Sequence, residues 1–388
     1  MPSLVLLRGA ELYTPDARGR ADVLVGGGTI LAVAPRLDPR GLDVEVVDAA
    51  NARLIPGLVD AHTHLSGGGG EGGAHTKVPA VPFERLASAG VTTAVGLLGT
   101  DCRTRGLPEL LAASRALDTL GLTTFCYTGG YEVPPVTLTG SARGDLVHVD
   151  RIVAIGETAI SDHRSSQPTL DELFRLASDA HVSGMLTGKA GLLHLHLGDG
   201  PRGLEPVRRG LTDTELPPRT WHPTHTNRNR RLWEEAKALS PAGLTIDISA
   251  FDPDGDAPSG GQALAEWLRE GLDPARVTLS SDAGGCLPTF DADGVLVAMG
   301  VGSAHTLLAS VLDAERLGAP FARALAAVTR NVARLFRFHH KGEISPGHDA
   351  DLVLVRDGVA TDVMARGAWV WRDGGAVPDA RRAVVPRH

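Results

Sequence analysis

Five residues that suit a divalent metal ion lie where apolar runs of the chain end. His62 and His64 are two residues apart at the end of one such run, and side chains two apart on a strand point to the same side. His196, His225 and Asp282 end three later runs. Imidazole and carboxylate groups are typical ligands of zinc-like ions. Two ions held ~3.5–4 Å apart can share a hydroxide that is nucleophilic at neutral pH, so these residues predict a binuclear metal site.

Asp282 has a second predicted task at this site. A carboxylate beside the bridging hydroxide can accept its proton and pass it to a leaving amine, which makes Asp282 the candidate general base and acid. A single His-x-His pair is weak support for a metal site, because two histidines can share a strand end by chance or lie satisfied in a core. Five such residues at strand ends are poorly explained in that way.

The scaffold must bring these distant strand ends together. Eight apolar runs alternate with helical patterns through the middle of the chain, which is typical of a parallel (β/α)8 barrel. The apolar runs are 54–65, 91–100, 123–127, 151–160, 191–197, 221–225, 244–249 and 277–281, and helical patterns lie at 108–120, 170–181, 229–239 and 262–271. Chemistry in that fold lies at the carboxyl ends of the strands, where the metal-binding candidates fall.

Both ends of the chain have an all-β pattern instead. Short strands separated by turn residues are predicted at 4–8, 22–25, 30–33 and 44–47, and again at 352–355 and 368–371. We therefore expect an α/β protein in which a TIM-like hydrolase barrel, residues 55–338, is flanked by one small β-sandwich domain. Residues 1–54 and 339–388 would form that domain together.

Composition limits the partners and the compartment. The 388 residues carry a net charge of −8 with no long basic run, so nucleic acid is not an expected partner. Three scattered cysteines predict neither a disulfide framework nor a cysteine-rich zinc site, which favours the cytoplasm. No apolar stretch reaches the ~18 residues of a membrane span. Only four of the 38 basic residues are lysines, which restricts where a lysine carbamate could form.

Longer motifs resemble the amidohydrolase superfamily and, within it, the isoaspartyl (β-aspartyl) dipeptidases. The superfamily motif lies at 56–64 and 341–352, with more specific matches at 70–73, 97–101, 128–131, 161–164, 223–229 and 280–282. The resemblance covers nearly the whole chain. It implies a zinc peptidase with two ions, other divalent metals being alternatives, that cleaves dipeptides in which aspartate is linked through its side-chain carboxyl. It also implies a homo-oligomer, with an octamer as one candidate.

The same resemblance divides the ligands between two ions. His62, His64 and Asp282 would hold one metal, and His196 and His225 would hold the other.

The resemblance also implies how the substrate is held. Glu71 would pair with the free α-ammonium of the dipeptide, and Tyr131 would hydrogen-bond the carbonyl oxygen as it becomes an oxyanion. Arg164 and Arg228 would bind carboxylates, while Thr100 would help to place the aspartyl end. A small zwitterion with two carboxylates calls for two arginines and one acid. Against this, loop arginines are usually solvated, and Glu71 could be an exposed residue of a glycine-rich loop.

One departure from the family pattern concerns the metal bridge. The family has a carbamylated lysine in strand four, and the matching position here is Glu157. A carboxylate can bridge two cations without CO₂, although glutamate is shorter, so we expect Glu157 to be the bridging ligand. The alternative is a salt-bridged glutamate. Lys189, which precedes strand five, is the only lysine that could compete as a carbamate, and we expect it to be structural.

Two further positions carry weaker expectations. Cys286 stands near the substrate where the family tends to have serine, and a thiol is the weaker hydrogen-bond partner. A nucleophilic role for Cys286 is not needed, because the metal site supplies the nucleophile. His194 points the same way as His196 and is expected to pack in the barrel or to support a ligand, and His222 matches no ligand position.

Three candidate functions therefore follow from the sequence. The first is metal-dependent hydrolysis of β-aspartyl dipeptides, and the second is an amidohydrolase acting on a cyclic amide or an N-acyl amino acid. The third is a non-catalytic assembly protein on the same fold, which the presence of the five ligands argues against.

Overall fold

A computed structural model describes residues 4–251, 255–291 and 293–377 of the chain. The N-terminal segment forms five strands: β1 (Leu4–Tyr13), β2 (Ala17–Gly26), β3 (Thr29–Ala34), β4 (Val44–Asp48) and β5 (Arg53–Pro56). Apolar and polar residues alternate along much of these strands, so that one face is buried.

Eight parallel strands follow and form the barrel. They are β6 (Leu58–Thr63), β7 (Val91–Gly96), β8 (Thr123–Thr128), β9 (Ile152–Ile160), β10 (Leu193–Leu197), β11 (Trp221–Thr224), β12 (Ile246–Ser249) and β13 (Val277–Ser280). Every residue of these strands is buried except Thr123 and Phe125 of β8, which are half-buried. Near-continuous apolar strands of this kind are expected where a parallel sheet is covered on both faces.

Two contacts close the barrel between its two hydrogen-bonded sheets. Strands β6 to β11 form one hydrogen-bonded sheet, and β12 pairs with β13. The backbone N–H of Thr226 donates to Asp247 O at 3.3 Å and joins β11 to β12. A parallel bridge between Thr63 and Ala283 joins the end of β6 to the segment after β13. Both closing contacts lie at the carboxyl ends of the strands, where the candidate ligands are.

Helices cover the outside of the barrel. They are α1 (Phe83–Ala87), α2 (Leu107–Thr119), α3 (Ala142–His148), α4 (Leu170–Thr187), α5 (Glu205–Asp213), α6 (Arg230–Leu239) and α7 (Gly260–Arg269). Capping boxes begin α4 at Thr169 and α7 at Ser259. None of the helices in the described part of the chain is long and apolar enough to cross a membrane.

The chain leaves the barrel through a hairpin, three helices and four more strands. These are β14 (Cys286–Phe290), β15 (Leu296–Val301), α8 (Thr306–Arg316), α9 (Phe321–Ala326), α10 (Arg330–Leu335), β16 (Leu352–Arg356), β17 (Val359–Ala365), β18 (Ala368–Arg372) and β19 (Gly375–Ala376). Strand β16 pairs with β5, which unites both ends of the chain in one nine-stranded sheet. The predicted α/β class, a TIM-like barrel with a small β-sandwich domain from both termini, is confirmed. The domain limits at 54 and 338 stay a prediction.

The single strand predicted at 54–65 is wrong. It is two strands of two different sheets, because β5 pairs in the terminal sheet and β6 begins the barrel. Gly57 lies between them, its N–H donates to Asp351 O at 2.8 Å, and any side chain there would overlap Thr92. A continuous apolar run cannot show where the chain crosses from one sheet to the other.

Candidate binuclear metal site

The predicted site residues meet in one cavity of about 600 Å³ at the carboxyl ends of the barrel strands. All of the predicted metal-binding and substrate-binding residues except His62 line this cavity, namely His64, Glu71, Thr100, Tyr131, Glu157, Arg164, His196, His225, Arg228, Asp282 and Cys286. His62 is fully buried beside them. The structure thus brings together residues that span more than two hundred positions of sequence.

Glu157 lies among the four histidines that are predicted to bind metal. Its Oε2 atom is 3.0 Å from His196 Nδ1. It is also 3.6 Å from the Nε2 atoms of both His62 and His225. The other oxygen, Oε1, is 3.5 Å from His64 Nε2. One carboxylate therefore faces histidines of both predicted halves of the site, which is the position that a bridging ligand needs.

Asp282 completes the set, and its surroundings fit a cation. Its Oδ1 atom lies 3.5 Å from His62 Nε2 and 3.2 Å from His64 Nε2. Asp282 Oδ1 and His62 Nε2 are buried and have no hydrogen-bond partner among the described residues. Leaving such atoms unpaired is costly. A divalent ion coordinated by nitrogen and oxygen would satisfy both atoms.

Three triads of these side chains could each hold an ion, with ligand atoms within 4.8 Å of one another: His62 with His225 and Asp282, His62 with His64 and Glu157, and Glu157 with His196 and His225. Glu157 is shared by two of them. The donor set therefore fits a divalent metal.

The charges of the site favour a cation as well. Burial by itself lowers the pKa of His62, but the carboxylates of Glu157 and Asp282 outweigh burial and raise that pKa to about 9. Burial raises the pKa of both carboxyl groups, yet the facing histidines outweigh it and hold each pKa below its usual range. A proton on His62 thus supplies positive charge that a bound metal would otherwise provide.

Local backbone geometry turns two ligands into the cavity. His225 follows β11 and Asp282 follows β13, and both have left-handed φ angles, 58° and 54°. This conformation is uncommon for residues other than glycine and costs of order 1–3 kcal/mol. Gly285 lies so close that a Cβ there would clash with Asp282 Oδ1.

Asp60 holds the strand that carries His62 and His64 against the end of β13. Its Oδ1 accepts hydrogen bonds from the backbone N–H of Ser281 at 3.2 Å and of His62 at 3.3 Å. Ser281 Oγ donates to the other oxygen. Asp60 therefore fixes the spacing between His62 and Asp282, a role that the sequence did not predict.

Asp162 contacts the predicted site residues, although the sequence did not single it out. Its Oδ2 atom lies 2.9 Å from His196 Nε2 and accepts from Arg164 Nη2 at 2.8 Å. Tyr131 contacts the same group, because its hydroxyl lies 2.8 Å from His196 Nδ1 and the Arg164 guanidinium lies 5.5 Å from its ring centre. The signal that could have identified it is its position two residues after the end of β9, in the motif at 161–164.

One carboxylate oxygen of Glu71 accepts hydrogen bonds, and the other is unpaired. Thr100 Oγ1 and Cys286 Sγ each donate to Glu71 Oε1 at 2.9 Å. Arg164 Nη1 lies 3.5 Å from the same oxygen. Glu71 Oε2 is buried without a hydrogen-bond partner among the described residues. The alternative of an exposed loop glutamate is wrong, since the side chain is 4% exposed.

Arg228 is a positively charged residue on the cavity wall. Its Nε atom is buried and has no hydrogen-bond partner among the described residues, and its side chain lines the cavity. The β14–β15 hairpin, which the sequence did not predict, supplies the neighbouring wall through Cys286, Leu287, Pro288 and Thr289.

The structure also shows the surroundings of Lys189 and His194. Lys189 Nζ donates to the carbonyls of Leu146 and Val149 at 2.6 and 2.7 Å. It precedes β10, whereas His196 lies near the end of that strand, so Lys189 is structural. His194 Nε2 lies 2.9 Å from Nδ1 of the predicted ligand His62.

A model of the amidohydrolase family matches residues 53–370. The chain belongs to the amidohydrolase family. One solved relative is a β-aspartyl dipeptidase from the keratin-degrading Fervidobacterium islandicum AW-1, in complex with the dipeptide β-Asp-Leu. It is 39% identical, with a TM-score of 0.93 over 97% of this chain and 98% of that one. The predicted resemblance to β-aspartyl dipeptidases is thereby confirmed.

Other proteins that the chain matches are less similar to it. A dihydropyrimidinase from Brevibacillus agri is 17% identical with a TM-score of 0.67, over 98% of this chain and 97% of that one, and shares the fold. An adenine deaminase of Deinococcus radiodurans is 29% identical over 91% of this chain. The match covers 59% of that deaminase, so the chain spans less than two thirds of its length.

Proposed function

We propose that this amidohydrolase is a metal-dependent β-aspartyl dipeptidase. The observation that carries the proposal is the cavity itself, in which an unpaired carboxylate oxygen of Glu71 and the guanidinium groups of Arg164 and Arg228 lie beside the metal ligands. This charge pattern complements a dipeptide with one ammonium and two carboxylates. The F. islandicum relative, whose structure holds β-Asp-Leu, supports the same substrate class.

The metal centre that we propose contains two zinc ions, held by the histidines, Glu157 and Asp282. When bound, such ions supply a hydroxide nucleophile at neutral pH and polarise the scissile carbonyl. Glu157 would take the place of a lysine carbamate because its two oxygens already face histidines of both halves. This site would need no CO₂.

Asp282 moves the proton in this proposal. It lies at the cavity wall with Oδ1 toward His62 and His64, and the histidines keep its pKa low. It accepts the proton of the attacking nucleophile and delivers it to the departing amine, which then leaves as the free α-amino group of the second residue. The products are aspartate and one amino acid.

The remaining residues orient the dipeptide. Arg164 lies between Asp162 and Glu71. An α-amino-acid head group would insert its ammonium at Glu71 and its carboxylate at Arg164, with Thr100 helping to place the aspartyl end. Arg228 would bind the second carboxylate, and Tyr131 would donate its hydroxyl proton to the developing oxyanion.

An amidohydrolase acting on a cyclic amide or an N-acyl amino acid is the second candidate. The dihydropyrimidinase structure is 17% identical and shows the fold alone, and such substrates leave at least one of the two arginines without a carboxylate. The third candidate, a non-catalytic assembly protein, does not account for a complete ligand set in a substrate-sized cavity. The cytoplasmic location and a homo-oligomer, with an octamer as one form, remain predictions.

Hydrolysis of β-Asp-Leu by zinc-loaded protein tests the proposal, with α-Asp-Leu as the matched control. We expect cleavage of the β-linked peptide only. In the variant R228M the KM for β-Asp-Leu should rise ~100-fold with a smaller change in kcat, because the lost group binds substrate. Failure to cleave either peptide, in protein confirmed to hold metal, would refute the assignment and direct attention to cyclic amides and N-acyl amino acids.

A further inference from the structure

A chain of buried polar side chains runs from the metal ligand His62 into the barrel, on the side away from the cavity. His62 Nδ1 lies 2.9 Å from His194 Nε2. His194 Nδ1 lies 2.9 Å from His222 Nδ1. His222 Nε2 lies 3.1 Å from Thr278 Oγ1, which donates to Asp247 Oδ1 at 2.6 Å. All five side chains are fully buried, and none of the last four has a place in the proposed reaction.

Sheet geometry explains why these residues form one layer. His194 precedes His196 by two positions on β10, and His222 precedes Thr224 by two positions on β11, so each points to the same interior as the residue above it. His194 and His222 are directly paired across β10 and β11, and Asp247 and Thr278 are paired across β12 and β13. The layer lies one step below the metal ligands.

The carboxylate at the far end sets the direction of every hydrogen bond. Asp247 Oδ1 only accepts, so Thr278 Oγ1 donates to it and must accept from His222 Nε2–H. A neutral His222 then presents Nδ1 as an acceptor to His194 Nδ1–H. A neutral His194 in turn presents Nε2 as an acceptor to His62 Nδ1–H. The Nδ1–H of His62 is thereby directed to His194, and Nε2 is the nitrogen left to face Glu157 and Asp282.

We propose that His194, His222, Thr278 and Asp247 are positioning residues that fix the Nδ1–H tautomer and the ring plane of His62, and so tune its affinity for metal. This inference rests on the proposed metal centre. Hydrogen bonds to the second nitrogen of a ligating imidazole orient the ring and increase its basicity, and losing one typically weakens metal binding ~10–100-fold.

Packing supports the same arrangement. The ring of Tyr127 stacks on His194 with centroids 4.9 Å apart and planes at 16°, and Phe336 contacts His222 edge-on at 6.2 Å. Tyr127 is itself fixed, because its hydroxyl donates to Ala61 O at 2.8 Å. The His194 ring therefore cannot rotate out of its plane without displacing the stacked Tyr127 ring. Burial also lowers the pKa of His222 to about 4, so its ring is neutral as the chain requires.

The chain offers a matched pair of variants. Thr278 and Thr224 both donate to the Asp247 carboxylate and are both fully buried, but Thr278 alone joins it to His222. The substitution T278V removes the link with almost no change of shape, and T224V removes a comparable hydrogen bond without breaking the chain. Zinc affinity is measured for each by competition with a chromophoric chelator, and the unfolding temperature is recorded for each metal-free protein.

We expect T278V to bind zinc at least ~10-fold more weakly than the parent protein, and T224V to change the affinity less than ~3-fold, with similar losses of unfolding temperature. Equal effects of the two variants on zinc affinity would overturn the proposal. A parent protein that binds no zinc would instead refute the proposed function.

A second readout needs neither a variant nor a metal. In metal-free protein with ¹⁵N-labelled histidine, long-range ¹H–¹⁵N correlation spectra report which ring nitrogen carries the proton. We expect Nδ1–H for His194 and Nε2–H for His222. The opposite tautomer at either residue would contradict the proposed direction of the chain, even if T278V fails to fold.

Discussion

Two clusters of buried charge distinguish the centre of the barrel from its junction with the terminal sheet. At the junction, Lys341 Nζ donates to Thr123 Oγ1 at 2.8 Å. It also lies 2.8 Å from Asp349 Oδ2 and 2.7 Å from Asp351 Oδ2, so all three of its N–H bonds have acceptors. The second oxygen of Asp351 accepts from the backbone N–H of Arg366 at 2.7 Å. Donors and acceptors of this cluster are matched within the protein.

The cluster in the barrel is not matched in this way. Asp282 Oδ1, His62 Nε2 and Glu71 Oε2 are buried and lack a hydrogen-bond partner among the described residues. Burial of charge therefore does not by itself mark a functional site. What marks one is a set of buried polar atoms that remain unpaired at a cavity, because the protein itself does not satisfy them.

The largest expected effect comes from neutralising Glu157. The substitution E157Q keeps the volume of the side chain but removes the charge that faces the histidines of both halves. We expect activity on β-Asp-Leu to fall on the order of 10³-fold and zinc content, measured by mass spectrometry, to fall below one ion per chain. The control E205Q changes a half-exposed ion pair with Arg202 and should alter neither quantity. Full zinc content with full activity in E157Q would contradict the bridging role.

Breaking the junction cluster should lower the stability of the protein and leave its zinc content unchanged. K341M leaves the buried Asp351 without its counter-ion, which costs ~3–5 kcal/mol of unfolding free energy. Urea denaturation measures this loss, and zinc content per folded chain should stay unchanged. K237M is the matched control, since its partners Glu234 and Glu270 are about half exposed and the pair contributes less than ~1 kcal/mol. Loss of zinc from K341M without loss of stability would remove the distinction between the clusters.

Removing the hydroxyl of Tyr131 should affect turnover rather than binding. We expect Y131F to lower kcat for β-Asp-Leu on the order of 10²-fold with KM changed less than ~3-fold, because the hydrogen bond strengthens as the oxyanion forms. Steady-state kinetics separate the two constants. A rise in KM at constant kcat would instead assign Tyr131 to substrate binding alone.

The smallest effect is expected at Cys286. Burial and the Glu71 carboxylate raise the pKa of this thiol, so it stays protonated and donates to Glu71 across the neutral range. Ionisation would remove the donated proton, but only at a pH above the ordinary thiol range. The activity profiles of the parent protein and C286S should therefore coincide between about pH 7 and 9. An alkaline loss of activity in the parent protein that C286S abolishes would show that the thiol titrates.

Much of this account could be predicted from the sequence, for reasons that particular residues make clear. The barrel and its candidate metal ligands could be predicted from local patterns. His62, His64 and Asp282 each come at the end of an apolar run, which places them at the carboxyl ends of barrel strands. The hairpin β14–β15 could not be predicted in this way, because β15 (Leu296–Val301) is apolar in sequence but lies exposed or half-buried outside the barrel.

Contacts between strands that lie far apart in sequence were also beyond prediction. His222 matches no ligand position, and its role depends on His194 across β10 and β11 and on Thr278 of β13. Asp162 and Asp60 likewise act through partners that only the closed barrel brings within hydrogen-bond distance.

Reconstitution of the metal-free protein in CO₂-free buffer tests the central claim most directly. Zinc per chain and turnover of β-Asp-Leu are measured together, with and without added bicarbonate. If Glu157 bridges the metals, two zinc ions bind and activity returns fully without bicarbonate. Activity that returns only when bicarbonate is added would contradict the account, because it would require a lysine carbamate and would leave the Glu157 carboxylate without its proposed role.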